Sequence, residues 1–197
     1  MKNLFVVATV ILMASCAQKK NTNAITITSE DGKENVTVNT EAIQKAAENM
    51  QGISSELNAL TPLNAEELRK LIPTQIMGVT ATNVDVANAM GASIASAEYQ
   101  INDSTDINLN IIDCAGPGGA GIYSMQYLAM ANVTQDNDEE YTKTIDFNGA
   151  KAFEQCKKDG SSCTLTYFEA NRFLITLSGD HVNIDGLKQV AKGINVN

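Results

Sequence analysis

Hydrophobic and polar positions repeat along this chain with two different periods, and the change of period separates its parts. Beyond a polar stretch at 17–23, Ile25 and Ile27 alternate with threonines. Glu30-Asp31-Gly32-Lys33 then supplies turn chemistry, and Val36 and Val38 alternate again. This pattern predicts a small β-hairpin. From 41 to about 60 the apolar residues Ile43, Ala46/Ala47, Met50, Ile53, Leu57 and Leu60 follow helical spacing, weakened at Gly52. One apolar stripe of under three heptads favours packing on the protein's own body over a coiled-coil partner.

The next segment carries a helix start. Asn64 stands at an N-cap with Glu67 three residues on, and Leu63 and Leu68 are placed to form a hydrophobic staple. The helix is predicted over 65–72, ending at Pro73. Strands are predicted near 76–82, at 92–101 with Ala95, Ala97, Tyr99 and Ile101 on one face, and at 107–114 with Ile107, Leu109 and Ile111 on one face. A glycine-rich loop at 115–121 leads into a helix over 122–133, with Ile122, Met125, Leu128/Ala129 and Val133 on its apolar side. Past an acidic loop at 136–140, four strands read as a meander: 141–147, 151–157, 162–168 and 172–178. Gly149, Asp159-Gly160 and Ala170-Asn171 mark its turns. A last helix starts at the cap Asn183, turns Leu187, Val190 and Ala191 inward, and ends with Gly193 as its C′ residue. Adjacent strands joined by tight turns pair antiparallel. The expected class is therefore α+β, mainly an antiparallel sheet covered by helices in an α/β/α sandwich.

The N-terminus changes the picture. Lys2 precedes a ten-residue apolar run at 4–13, long enough for a signal sequence and well short of the ~20 residues a membrane-spanning helix needs. Met13-Ala14-Ser15-Cys16 follows and resembles the lipobox of bacterial lipoproteins, with Met13 where leucine is usual. The resemblance implies cleavage before Cys16, a diacylglyceryl thioether on Cys16, and acylation of the new amine by a fatty acid such as palmitate. Two or three acyl chains, at about 0.8 kcal/mol per buried methylene, make a lasting anchor where one does not. Ala17 in place of aspartate implies sorting to the outer membrane of a two-membrane cell. The expected organisation is a signal peptide at 1–15, a lipid-anchored tether with hairpin and amphipathic helix at 16–60, and a globular α+β domain at 61–197.

The net charge is −9, and removing 1–15 takes away only Lys2, leaving −10. A polyanion is repelled by nucleic acid and by anionic headgroups, so a nucleic-acid partner is not expected and the lipid must supply membrane attachment. The expected partners are the membrane, through the anchor, and an envelope protein.

Candidate chemistry is sparse. Gly116, Gly118 and Gly121 satisfy G-x-G-x-x-G between a strand and a helix. Pro117 removes a backbone donor there, however, and the surrounding strands form a meander instead of parallel βαβ units. Asp136, Asp138, Glu139 and Glu140 lack the glycine and distal glutamate of a calcium loop. His181 is the only histidine and sits in a turn, and zinc would need more His or Cys clustering. No catalytic, cofactor-binding or metal residue is nominated. The cysteines say more. Cys156 and Cys163 bracket a turn centred on Asp159-Gly160 and oppose each other in a hairpin, which predicts a disulfide. Cys114 is then a free thiol, buried and inert.

The order of elements resembles a PsbP-type sandwich. Leu71-Ile72-Pro73, Ala97-Glu98-Tyr99, Ile112-Asp113, Asn171-Arg172-Phe173-Leu174-Ile175 and Ser178-Gly179 are similar to segments of small envelope lipoproteins of unassigned activity. That resemblance implies a fold over about 61–197 and no reaction. The leading expectation is a membrane-anchored, non-catalytic accessory or binding domain. The alternatives are a hydrolase or redox enzyme using Asp113, Cys114 and the loop to Gly121, and a structural protein self-assembling through helix 41–60.

Overall fold

The computed structural model describes residues 24–28, 35–89, 91–130 and 133–196. The signal sequence, Cys16 and the turn of the first hairpin lie outside them. In chain order the elements are β1 (Ala24–Thr28), β2 (Asn35–Asn39), α1 (Thr40–Ala59), α2 (Ala65–Arg69), β3 (Gln75–Ile76), β4 (Val79–Thr80), β5 (Thr82–Ala89) and β6 (Ala92–Asn102). They continue with β7 (Thr105–Asp113), α3 (Gly116–Ala129), β8 (Val133–Asp136), β9 (Glu140–Phe147), β10 (Ala150–Lys157), β11 (Ser162–Glu169), β12 (Phe173–Asp180) and α4 (Ile184–Lys192).

Among the described residues, ten strands form one sheet in the order β1-β2-β8-β9-β10-β11-β12-β7-β6-β5, and β3 pairs with β4 separately. All neighbours are antiparallel. The arrangement is two local meanders, β5–β7 and β8–β12, joined through α3. They meet at a seam where β7 lies beside β12 in a register running from Asp106↔Asp180 to Asp113↔Phe173. No turn sets that seam. The class is α+β with an antiparallel sheet.

Period-2 alternation decides which side chains go where. Tyr99, Ile107, Leu109, Ile111, Leu165, Tyr167, Ile175 and Leu177 turn to one face and are buried there with Leu68 and Ile72 from the α2 region and Leu187 and Ala191 of α4. Their sequence neighbours Ile112, Phe168 and Leu174 turn to the other face with Phe153 of β10, against Met50, Ile53 and Leu57 of α1 and Ala120 and Tyr123 of α3. Each fully buried Leu, Ile or Tyr contributes roughly 1.5–3 kcal/mol, so these two clusters dominate the fold's stability. The disulfide is present: Cys156 and Cys163 are in register across β10 and β11, with Cα atoms 4.1 Å apart.

Several expectations need correction. The hairpin and helix of 16–60 do not stand apart as a tether, because β2 pairs with β8 and α1 packs along α3. The strand expected at 76–82 is instead a tiny β3–β4 hairpin around Met77-Gly78, followed by β5, an edge strand whose Asn83, Asp85 and Asn88 hid its β character. The 65–72 helix ends as α-helix at Arg69 and tightens into i→i+3 bonds, Leu71 N to Leu68 O and Ile72 N to Arg69 O. The glycine segment is no loop: α3 begins at Gly116 and ends at Ala129, so Tyr123 and Ala120 face inward while Met125 stands 62 % exposed. Val133, expected in that helix, begins β8. Gly193 caps α4 with ordinary right-handed geometry, φ −90°, and not as a left-handed C′ residue.

Candidate binding groove

The region expected to hold any chemistry, Asp113 through Gly121, is a structural junction. Asp113 has no exposed side-chain surface, and its carboxylate accepts four hydrogen bonds. Oδ1 takes Arg172 Nε at 2.8 Å and Ala115 N at 3.1 Å, while Oδ2 takes Leu63 N at 2.7 Å and Arg172 Nη2 at 2.9 Å. Burial pushes this carboxyl's pKa up, but the bonds from Arg172, Leu63 and Ala115, with the guanidinium charge, outweigh it and hold the pKa below the usual value. Arg172 also donates to Thr61 O at 3.1 Å, and Cys114 N donates to Arg172 O at 2.9 Å. Three segments are thus clasped together: the α1–α2 linker, the end of β7 and the β11–β12 turn.

Cys114 is fully buried, and burial pushes its thiol up to about 12, so almost no thiolate forms at neutral pH. Gly119 has a steric reason to be glycine. A Cβ there would lie 2.4 Å from the carbonyl carbon of Cys114, so the helix can approach the strand end only without a side chain. The glycine segment is the first turn of α3 itself, and Pro117 there has no N–H to offer a phosphate.

The remaining sequence candidates do not converge either. His181 holds a left-handed turn, φ 54°, and its Nδ1 donates to Ser104 O at 2.8 Å. In the acidic loop, Asn137 Oδ1 accepts from the backbone N of Glu139 and Glu140, and Asp136 pairs with Lys158 at 2.7 Å. Among the described residues no cluster of three His, Cys, Asp or Glu could hold a metal ion, and no helix is long and apolar enough to cross a membrane.

A groove that sequence reasoning missed lies between the β3–β4 hairpin and α4. Gly186, Gln189, Val190 and Gly193 recur at three- and four-residue spacing and line one wall from a single helix face. Pro73, Ile76 and Met77 line the facing wall, and Ile194 closes one end. The cavity measures about 300 Å³, the lower limit for a small-molecule site. Gln75 and Gln189 are its polar side chains. Pro73 is fixed by Tyr99, whose hydroxyl donates to its carbonyl oxygen at 2.6 Å; burial raises that phenol to about 12, so it stays protonated. A second depression of about 300 Å³, lined by Ile72, Thr80, Ala81 and Val84 among others, shares Pro73.

Met77 is the unusual residue here. It is 60 % exposed and held at φ 51°, with Gly78 at φ 81° after it. A left-handed conformation costs a non-glycine residue about 1–2 kcal/mol, and packing does not explain the exposed side chain. The one sequence signal for this feature is Gly78 inside the apolar run Ile76-Met77-Gly78-Val79, a turn mark within what otherwise reads as a single strand.

The opposite sheet face carries a different surface beyond the edge of α1 and α3. Ser96, Glu98, Asn108, Asn110, Thr176 and Ser178 line a shallow depression of about 180 Å³. Its polar groups largely satisfy one another: Thr164 bonds Ser178 at 3.1 Å, Thr166 bonds Thr176 at 3.2 Å, and Asn83 donates to Glu98 at 2.5 Å. Comparison with family models, with curated proteins and with solved structures gives no match.

Proposed function

We propose that the chain is a lipid-anchored, non-catalytic binding domain of the bacterial envelope, attached through Cys16 to the outer membrane, that takes an apolar group into the groove beside α4. One observation carries the binding reading: a strained, exposed methionine lines the groove between the β3–β4 hairpin and α4. Helices on both faces of the sheet support the PsbP-type α/β/α sandwich. The enzyme reading finds little support at Asp113 and Cys114, where the carboxylate is fully engaged and the thiol is buried. Self-assembly through helix 41–60 is likewise weakened, because the stripe Met50, Ile53 and Leu57 already packs against α3.

The binding test is titration with N-phenylnaphthylamine, an apolar fluorophore usable because the chain contains no tryptophan. Wild type should bind saturably. Met77→Asn should keep or raise the melting temperature, since asparagine tolerates the left-handed turn, while weakening the probe several-fold. Val190→Glu should abolish binding. An unsaturable wild-type signal, or isotherms unchanged in both variants, would sink the groove. The anchor is tested by metabolic labelling with a fatty-acid analogue, which Cys16→Ala should eliminate.

A further inference from the structure

We infer that the outer face of α3 lies on the lipid surface to which Cys16 is attached; the inference rests on the anchor proposed above. Across Gly116–Ala129 the helix carries no Asp, Glu, Lys or Arg. Pro117, Gly121, Met125 and Ala129 recur every four residues on one line, and all four are exposed. Ile122 and Leu128, both half-buried, flank that line. A helix facing water carries charge on its outer side, as α1 does with exposed Lys45, Glu48 and Glu56. Among the described residues three large hydrophobic side chains are exposed, and two of them, Met125 and Leu60, belong to this helical layer.

The sheet register places the start of β1 near one end of this face. Ala24 pairs with Asn39, the residue before α1 begins, and Val38 pairs with Val133, four residues beyond the end of α3. The start of β1 and the end of α3 therefore meet at one corner of the molecule. Ala24 stands eight positions after Cys16, a reach of at most about 28 Å at roughly 3.5 Å per step. The 14 residues of α3 span about 21 Å. The whole helix is consequently within reach of the bilayer that holds the lipid. Glu48 and Glu56 on neighbouring α1 select a neutral, zwitterionic surface over an anionic one. Contact is shallow, with Met125 and Leu128 at headgroup depth.

The experiment uses the full mature lipoprotein in phosphatidylcholine vesicles, with a fluorophore on Met125→Cys and a reference fluorophore on Asp85→Cys in the edge strand β5. Buried Cys114 does not compete for the label in the native state. Flotation reports attachment independently. The Met125 probe should be quenched by nitroxide-bearing lipid several-fold more than the Asp85 probe, and shielded from aqueous iodide. Gly121→Glu, where no atom lies within 4 Å of the added Cβ, should leave the melting temperature unchanged and abolish that lipid quenching. Equal quenching at the two sites in floating protein would overturn the inference while leaving the anchor standing. Iodide shielding without lipid quenching would overturn it in favour of a protein occupant such as a second copy. Protein that does not float removes the anchor and the inference together.

Discussion

Replacing Arg172 by methionine isolates the clasp that fastens the β7–β12 seam. The substitution keeps an apolar stem of similar length and removes two hydrogen bonds to Asp113 and one to Thr61 O. The two partners are not equivalent. Arg172 keeps 23 % of its side chain in contact with solvent and Asp113 keeps none, so the stranded carboxylate cannot recover hydration. Breaking a buried pair from one side costs about 3–5 kcal/mol. For a chain of this length about 1 kcal/mol lowers the melting temperature by 2–4 °C, which puts the expected loss at roughly 6–20 °C. The pH dependence carries the sharper signature. In the wild type the Asp113 pKa is depressed, so its stabilisation is present above the unfolded-state pKa and is lost as pH falls through the folded one. Without Arg172 the uncompensated burial reverses the shift. The folded variant then takes up a proton more readily than its unfolded chain, and acidification relieves it. The stability gap between the two proteins should therefore be widest at neutral pH and narrow on acidification. Urea denaturation followed by circular dichroism at a series of pH values measures it. A loss below 1 kcal/mol at neutral pH, or a gap that widens with acid, would refute the reasoning.

The Asn64 cap accepts from Glu66 N and Glu67 N at 3.0 Å each, and Glu67 Oε2 accepts from Asn64 N at 3.0 Å. Asn64→Ala should cost about 0.5–2 kcal/mol in a denaturant titration, and an unmoved midpoint would show the box to be idle. Native alkylation without reductant should label none of Cys114, Cys156 and Cys163. Unfolding should expose Cys114 alone, and Cys156→Ser with Cys163→Ser should destabilise the domain by roughly 2–3 kcal/mol. Ready labelling of Cys114 in the folded chain would contradict its burial.

What could be read from the sequence was what local chemistry decides. The Asn64 box, the Asn183 cap and the turns at Gly149 and Gly160 all stand where their residue types put them, because caps and tight turns depend on a few adjacent atoms. The Cys156–Cys163 bridge was legible for the same reason. The β7–β12 seam was not, since nothing adjacent in sequence specifies which strands of two meanders meet. The helix α3 was misplaced because Gly116, Gly118, Gly119 and Gly121 are poor helix formers, and only the fold shows that one of them, Gly119, is required by close packing on Cys114. The groove was invisible for a related reason. Its walls come from Pro73-Met77 and from α4, more than a hundred residues apart, and only the tertiary fold places them face to face.

The pairing of β2 with β8 also sets an order of assembly. Val38 reaches its partner Val133 only after about 95 further residues have been synthesised. The end of the chain nearest Cys16 is synthesised first and locked into place late. Until then β1 and β2 form a hairpin too small to be stable alone, and β1 offers Ala-Ile-Thr-Ile-Thr, a charge-free segment of high strand propensity. Synthesis from the N-terminus thus leaves an adhesive strand uncovered while the strand that accepts its hairpin has yet to be made. That interval is open to strand-edge association, and it ends when β8 emerges.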